Sequence, residues 1–318
     1  MSDQNQNAIE TEEQQLDALQ GIERRRAMRR AGVSLGVAAM AASGLVGGTQ
    51  PAEAANGGVG ASDTDILNFA LNLEYLEAEY YLYASTGQGL AANLRTGTGT
   101  QGTTGRGQQV NFTSVAVQQF AQRIALDELA HVRFLRAALG SAAVAIPDID
   151  VGVGAANAFS VLAQAAGLVP AGQIFNPYSS DANFLLGASI FEDVGVTAYA
   201  GASRYIGDPN YLEAAGGILA VEAYHAGAIR TLLAQSGAGA QFNQISAVRG
   251  TLSAGGFAGA EGEQGIVVPG DAYNFVATDA NGLVYRRNTR QVLNIVYGQI
   301  GAAKGGFFPQ GLNGNIRS

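Results

Sequence analysis

Both histidines in this chain stand three residues after a glutamate, in Glu128-Leu129-Ala130-His131 and in Glu222-Ala223-Tyr224-His225. Each pair lies in a stretch with helical apolar spacing. Ile124, Ala125, Leu129, Phe134 and Leu135 surround the first, and Ile218, Leu219, Val221, Ala226 and Ile229 the second. Positions i and i+3 of a helix share a face, so each pair aims a carboxylate and an imidazole the same way. A glutamate ionised on an apolar face is costly unless it is paired or bound to a cation. Satisfied polar contacts inside a bundle would explain one such motif. Two motifs that use every histidine point to a shared site.

Two further helical stretches carry matching acids. Glu74 is followed seven residues later by Tyr81, and Glu192 seven residues later by Tyr199. Seven residues are nearly two helical turns, which puts each tyrosine on its glutamate's face. The match extends further: Ala84-Ser85 and Ala202-Ser203 occupy equivalent places after Glu74 and Glu192. Arg136 with Leu139, and Arg230 with Leu233, do so after Glu128 and Glu222. The chain thus reads as two similar helix pairs in tandem. This pseudo-repeat selects Glu74 among the acids of the first helix, because the position matching Glu77 is Gly195 and Glu79 points off the face.

Glu74, Glu128, His131, Glu192, Glu222 and His225 therefore form a candidate set of metal ligands. Four carboxylates and two imidazoles suit two metal ions, with two glutamates bridging. Oxygen and imidazole donors favour iron or manganese, and the chain has no cysteine to supply thiolate. Tyr81 and Tyr199 would donate hydrogen bonds to ligating carboxylates; core tyrosines with satisfied hydroxyls are the alternative. Arg136 and Arg230 would neutralise carboxylate charge or face solvent. Asp127 and Asp193 adjoin ligand positions, and either could orient a histidine from a neighbouring helix.

One glutamate from each of two helices and Glu-x-x-His from each of two others is the pattern of carboxylate-bridged dimetal bundles. From roughly Ser62 to Gln235 the chain resembles the ferritin-like superfamily. It is most similar to the exported desiccation-related branch, through Leu71-Asn72-Leu73-Glu74-Tyr75-Leu76-Glu77-Ala78-Glu79-Tyr80-Tyr81 and the tail Gly305-Gly306-Phe307-Phe308-Pro309. The resemblance implies an all-α, ferritin-like four-helix bundle with a long crossover between the second and third long helices. A C-terminal extension of irregular chain and short helix would follow.

The long helices are expected over Ser62–Ser85, Ser114–Leu139, Asp181–Tyr205 and Asn210–Gln235. A short one is expected over Ala155–Ala166 and a fifth over Thr289–Ile300. A glycine-rich loop after Ser236-Gly237 and a strand-like stretch over Gly265–Val284 fill the interval. Gly97-Thr98-Gly99-Thr100-Gln101-Gly102 spells a phosphate-loop pattern, but no strand–helix unit surrounds it. No Gly-x-Ser-x-Gly elbow is present, which disfavours serine-hydrolase chemistry.

The first 54 residues read as a targeting segment. A polar stretch leads to five arginines within Arg24-Arg25-Arg26-Ala27-Met28-Arg29-Arg30, then to the mildly apolar run from Ala31 to Val46. That run is 16 residues long, short of the roughly 20 a membrane span needs. It meets an A-x-A cleavage pattern, Ala52-Glu53-Ala54. The arrangement is similar to a bacterial twin-arginine signal, which implies a periplasmic or secreted protein and no membrane span in the mature chain. Residues 55–240 are then the dimetal bundle and 241–318 a C-terminal extension packed on it. A net charge of −8 argues against nucleic-acid partners. Metal ions or a small-molecule oxidant are the expected partners, and a homo-oligomer is compatible with the sequence.

Three functions fit these residues. The first is a redox enzyme acting on peroxide, dioxygen or ferrous iron. The second is a metal-binding or iron-sequestering protein without turnover. The third is a stress-protective structural protein that has inherited the bundle.

Overall fold

The computed structural model describes residues 60–253, 263–267, 273–279 and 281–318. The expected export segment lies outside them. Seven helices are described: α1 (Asp63–Thr86), α2 (Val115–Leu139), α3 (Ala158–Ala165), α4 (Asp181–Ala202), α5 (Pro209–Gln235), α6 (Gly239–Ser253) and α7 (Thr289–Val296). The fold is all-α. The only sheet among the described residues pairs β1 (Thr104–Gly105) in parallel with β2 (Ile149–Asp150). No described helix is long and apolar enough to cross a membrane.

Local chemistry sets the helix ends. Ser62 and Asp65 form a reciprocal capping box at the start of α1, and Gly87, at φ 73°, closes its other end. Ser114 and Ser180 cap α2 and α4 by accepting from Val117 N and Asn183 N. Asp208 caps α5, with Pro209 in the first turn, where its missing N–H costs nothing.

Cross-helix bonds give the directions. Asn68 Nδ2 donates to Ala142 O at 3.1 Å and Arg136 to the Tyr75 hydroxyl, so α1 and α2 are antiparallel. Asp193 pairs with Arg230, while Gly195 packs against Glu222, so α4 and α5 are antiparallel too. Tyr81 bonds Glu192 and Tyr199 bonds Glu74, which sets α1 antiparallel to α4. It follows that α2 and α4 are parallel, and the chain between them must return along the bundle. The link leaves beside the start of α1, where Asn68 Oδ1 accepts from Val144 N at 2.9 Å. It arrives beside the start of α2, where Asp181 accepts from Thr113 N and Ser114 N at 3.1 and 2.8 Å.

Both α1 and α4 are buried on nearly every side. Neither shows a strong apolar stripe, as expected of enclosed helices. α6 and α7 pack on α4. The tail covers α1: Asn72 Nδ2 donates to Asn313 O at 3.0 Å and Asn313 N returns to Asn72 Oδ1 at 3.2 Å. Phe307 sets its ring edgewise against Phe159 and Phe191, with centroids 5.0 and 4.9 Å away.

The structure differs from the sequence reading in several places. Where a glycine-rich loop was expected, α6 forms. Its buried residues include Ser246, Arg249 and Gly250, so no apolar stripe announces it. Of the strand-like stretch, the described residues show only a bridge between Thr278 and Val284. The last helix stops at Val296 because Gly298 turns to φ 69°. The third long helix ends at Ala202 and continues as a 3-10 turn over Ser203–Tyr205. Phe134, read on the apolar face of α2, is 44% exposed. Within the apparent phosphate-loop pattern, Gly102 lets two backbones touch: a Cβ there would stand 2.1 Å from Asp148 N.

Candidate metal centre

The four long helices bring Glu74, Glu128, His131, Glu192, Glu222 and His225 together inside the bundle, each less than a tenth exposed. His131 Nδ1 lies 3.2 Å from Glu74 Oε2 and 3.1 Å from Glu128 Oε2. Glu222 Oε1 is 3.8 Å from the same nitrogen. His225 Nδ1 lies 3.2 Å from both Glu192 Oε2 and Glu128 Oε1. Two donor groups result: Glu74, Glu128, His131 and Glu222, and Glu128, Glu192 and His225. Ligand atoms within each group lie within 4.8 Å of one another. Glu128 belongs to both, with one carboxylate oxygen toward each ring.

The surrounding bonds orient this set. Tyr81 donates to Glu192 Oε1 and Tyr199 to Glu74 Oε1. Burial, then the neighbouring carboxylates, hold both phenols well above their usual value, so they stay donors. His225 Nε2 is 3.2 Å from Asp127 Oδ2, and Asp127 also accepts from Arg123 Nε at 2.9 Å. Of the two acids that could orient a histidine, Asp127 does so. Asp193 turns away from the site to Arg230 and Arg249, at 2.9 and 2.8 Å. Arg230 is therefore buried in an ion network on the far side of α4. Arg136 donates to Tyr75 and to Thr96 O, away from the carboxylates. Glu79 pairs with Arg95.

The electrostatics of the protein alone are strained toward a cation. Burial raises Glu222 well above the usual carboxylate value, and Glu77, Glu128, Glu192 and Glu74 add to it. Glu128 is pushed up to about 7, by burial and then by Glu74. Burial opposes charge on His131 and His225, yet the adjacent glutamates lift both rings to about 11. Both oxygens of Glu222 are buried without a hydrogen-bond partner, and Oε1 of Glu128, 3.2 Å from His225 Nδ1, is not aligned into a hydrogen bond. Orphaned carboxylate oxygens facing two imidazole nitrogens are a donor set that fits hard or borderline cations such as iron and manganese.

Glu77 joins the acids here, though the repeat argument had set it aside. It is 5% exposed and faces Gly195 across the gap between α1 and α4. Burial, then Glu128, Glu74 and Glu192, push its carboxyl well up. Its place three residues after Glu74 was the available signal; the lack of a counterpart in α4 hid it.

This bundle, with buried carboxylates and imidazoles converging from four helices, defines a class. The ferritin-like domain model matches residues 62–235, and the chain belongs to that family. Among curated proteins, it is 27% identical over 282 residues to "Ferritin-like catalase Nec2" of Nesocodon mauritianus, covering 81% of this chain and 86% of that one. It is 29% identical over 249 residues to "Desiccation-related protein PCC13-62" of Craterostigma plantagineum, covering 73% and 76%. No solved structure matches the chain significantly.

Proposed function

We propose that the bundle binds two ions of iron or manganese and disproportionates hydrogen peroxide. Glu74, Glu128, His131 and Glu222 would hold one ion, and Glu128, Glu192 and His225 the other. The observation that carries this is Glu128, which turns one oxygen to each histidine while Glu222 leaves both of its oxygens unpartnered. The name of the catalase relative supports the choice of peroxide. When bound, a redox-active pair would supply two-electron exchange with peroxide, so that two peroxides yield two waters and one dioxygen.

The protein's own residues prepare that chemistry. Tyr81 and Tyr199 fix the outer carboxylates through hydrogen bonds. Asp127 holds the Nε2 edge of His225, which leaves Nδ1 for a metal. The apolar helix faces exclude bulk water. Glu77, a carboxyl disposed to hold a proton, stands beside the set and can take or return one as peroxide is consumed.

Metal-loaded protein should evolve dioxygen from peroxide. Loaded protein that does not, but oxidises ferrous iron in the presence of dioxygen, would move the substrate to iron. A second reading, metal binding or stress protection without turnover, is favoured by the desiccation-related relative; full metal content with neither activity would select it. We also propose export through a twin-arginine-type signal, on the strength of the arginine block, the short apolar run and the A-x-A pattern. Sequencing the N-terminus of protein from its native host tests it: a start just after Ala54 is expected, and a retained segment contradicts it.

A further inference from the structure

We infer that a molecule of two or three heavy atoms reaches the metal centre by passing between Ile295 and Phe307 and arriving at Gly195. This rests on the metal reading above and adds the route and the size limit to it.

The inner end is a close contact at Gly195, whose missing side chain leaves the room that the Glu222 carboxylate fills. Gly195 has no side chain, and a Cβ there would lie 2.2 Å from Glu222 Oε2 and 3.6 Å from Glu77 Oε1. Against Gly195 and Glu77 is a cavity of about 20 Å³, walled also by Leu76, Ile190, Ile295 and Phe307 among others. A volume of that order accommodates one water-sized molecule. Apart from Glu77 the walls are apolar side chains and the glycine. The carboxylate packed on Gly195 is Glu222, whose two oxygens lack hydrogen-bond partners. An arriving molecule would meet the Glu77 carboxyl first, with Glu222 next to it across Gly195.

The outer end is a pocket of about 540 Å³ between α3, α6, α7 and the tail, with Val161, Leu252, Tyr297 and Lys304 in its wall. Only Ile295 and Phe307 line both spaces. They form a two-residue partition between a roomy vestibule and a chamber for one small molecule. Phe307 is packed against Phe159 and Phe191, so the partition is closed at rest and opens by side-chain rotation. A narrow apolar chamber passes peroxide, dioxygen or nitric oxide, and excludes hydrated ions and organic peroxides.

Nitric oxide binding to the ferrous-loaded protein, without dioxygen and followed by absorbance and electron paramagnetic resonance, tests the route. Iron content is measured first. Phe307→Leu should raise the association and dissociation rates of nitric oxide together, and Ile295→Phe should lower both, each by about tenfold. The Kd should stay constant, because the partition touches neither end state. Should Phe307→Leu fail to fold, Ile295→Ala opens the same partition from the α7 side. Unchanged rates in iron-loaded variants, or a changed Kd with unchanged association, would overturn the route and leave the metal reading intact. A wild type that takes up no iron would overturn the metal reading, and the route with it.

Discussion

Tyr199 donates its hydroxyl hydrogen bond to Glu74, 125 residues earlier in the chain. Tyr81 donates in the same manner to Glu192, 111 residues later. Each tyrosine lies two turns past one glutamate of the proposed site and serves the other. The exchange works because α1 and α4 are antiparallel: the late turns of each helix face the middle of its partner. Two copies of one helix-pair pattern thereby lock around a common centre.

Replacing Tyr81 or Tyr199 with Phe keeps the ring and removes one donor to a ligand carboxylate. Metal affinity should fall about 10–100-fold in either variant. Competition with a chelator measures it. Unchanged affinity with a lowered melting temperature would reduce both tyrosines to core packing.

Loading should release protons. His131 and His225, raised to about 11 by their glutamates, both carry a proton at neutral pH before metal binds. A ligating ring must be neutral on the binding nitrogen and a ligating carboxylate ionised, so uptake should displace at least two protons per chain, with Glu128 and Glu222 adding to the two from the histidines. Affinity should fall as pH drops, and the dependence should extend well above the ordinary histidine range. For the apo protein the sign is opposite. A raised folded pKa gives stability that is fully present below about 6.5 and is lost as pH rises through about 11. Calorimetry in buffers of differing ionisation enthalpy counts the protons, and none released would contradict this charge assignment.

The ion network behind α4 should dominate stability. Arg230 and Arg249 hold Asp193 below its usual value despite burial, and Arg249 and Arg287 share Glu263. Asp193→Asn leaves two buried guanidinium groups underpaired and should cost about 3–5 kcal/mol. A depressed folded pKa contributes stability above the unfolded value, lost as pH falls through the folded one. Denaturant melts should therefore separate wild type from variant at neutral pH and converge in acid. An equal gap at both would contradict the pairing.

Gly195→Ala should separate site from fold. Alanine favours a helix over glycine by about 1 kcal/mol, yet its Cβ would displace Glu222. Metal content should drop while helical content by circular dichroism is kept. Full metal content would show that Glu222 has room to move and is not held where the site requires it.

The four long helices and their six inward residues were legible because two independent signals coincided. Apolar spacing marked the helices, and the i, i+3 and i, i+7 polar positions marked a common face. The expected starts at Ser62, Ser114 and Asp181 fall within a residue of the observed Asp63, Val115 and Asp181. α6 was not legible, since Ser246, Arg249 and Gly250 sit on its buried side and meet partners distant in sequence. The partners of Asp193 and the burial of Glu77 beside the site were not legible for a related reason. Repeat symmetry selects what two halves share, whereas these residues answer to the C-terminal segment and to Gly195, which have no counterparts.

Metal stoichiometry beside thermal melting, for wild type, His131→Gln and His225→Gln, tests the central claim most directly. Glutamine roughly preserves volume and removes the nitrogen donor. The wild type should hold about two equivalents of iron or manganese per chain. Each variant should lose bound metal and peroxide turnover while its apo form stays folded on the apolar bundle. Full metal retention in both variants, with a stability loss of about 1–3 kcal/mol from unpaired partners, would contradict the dimetal centre.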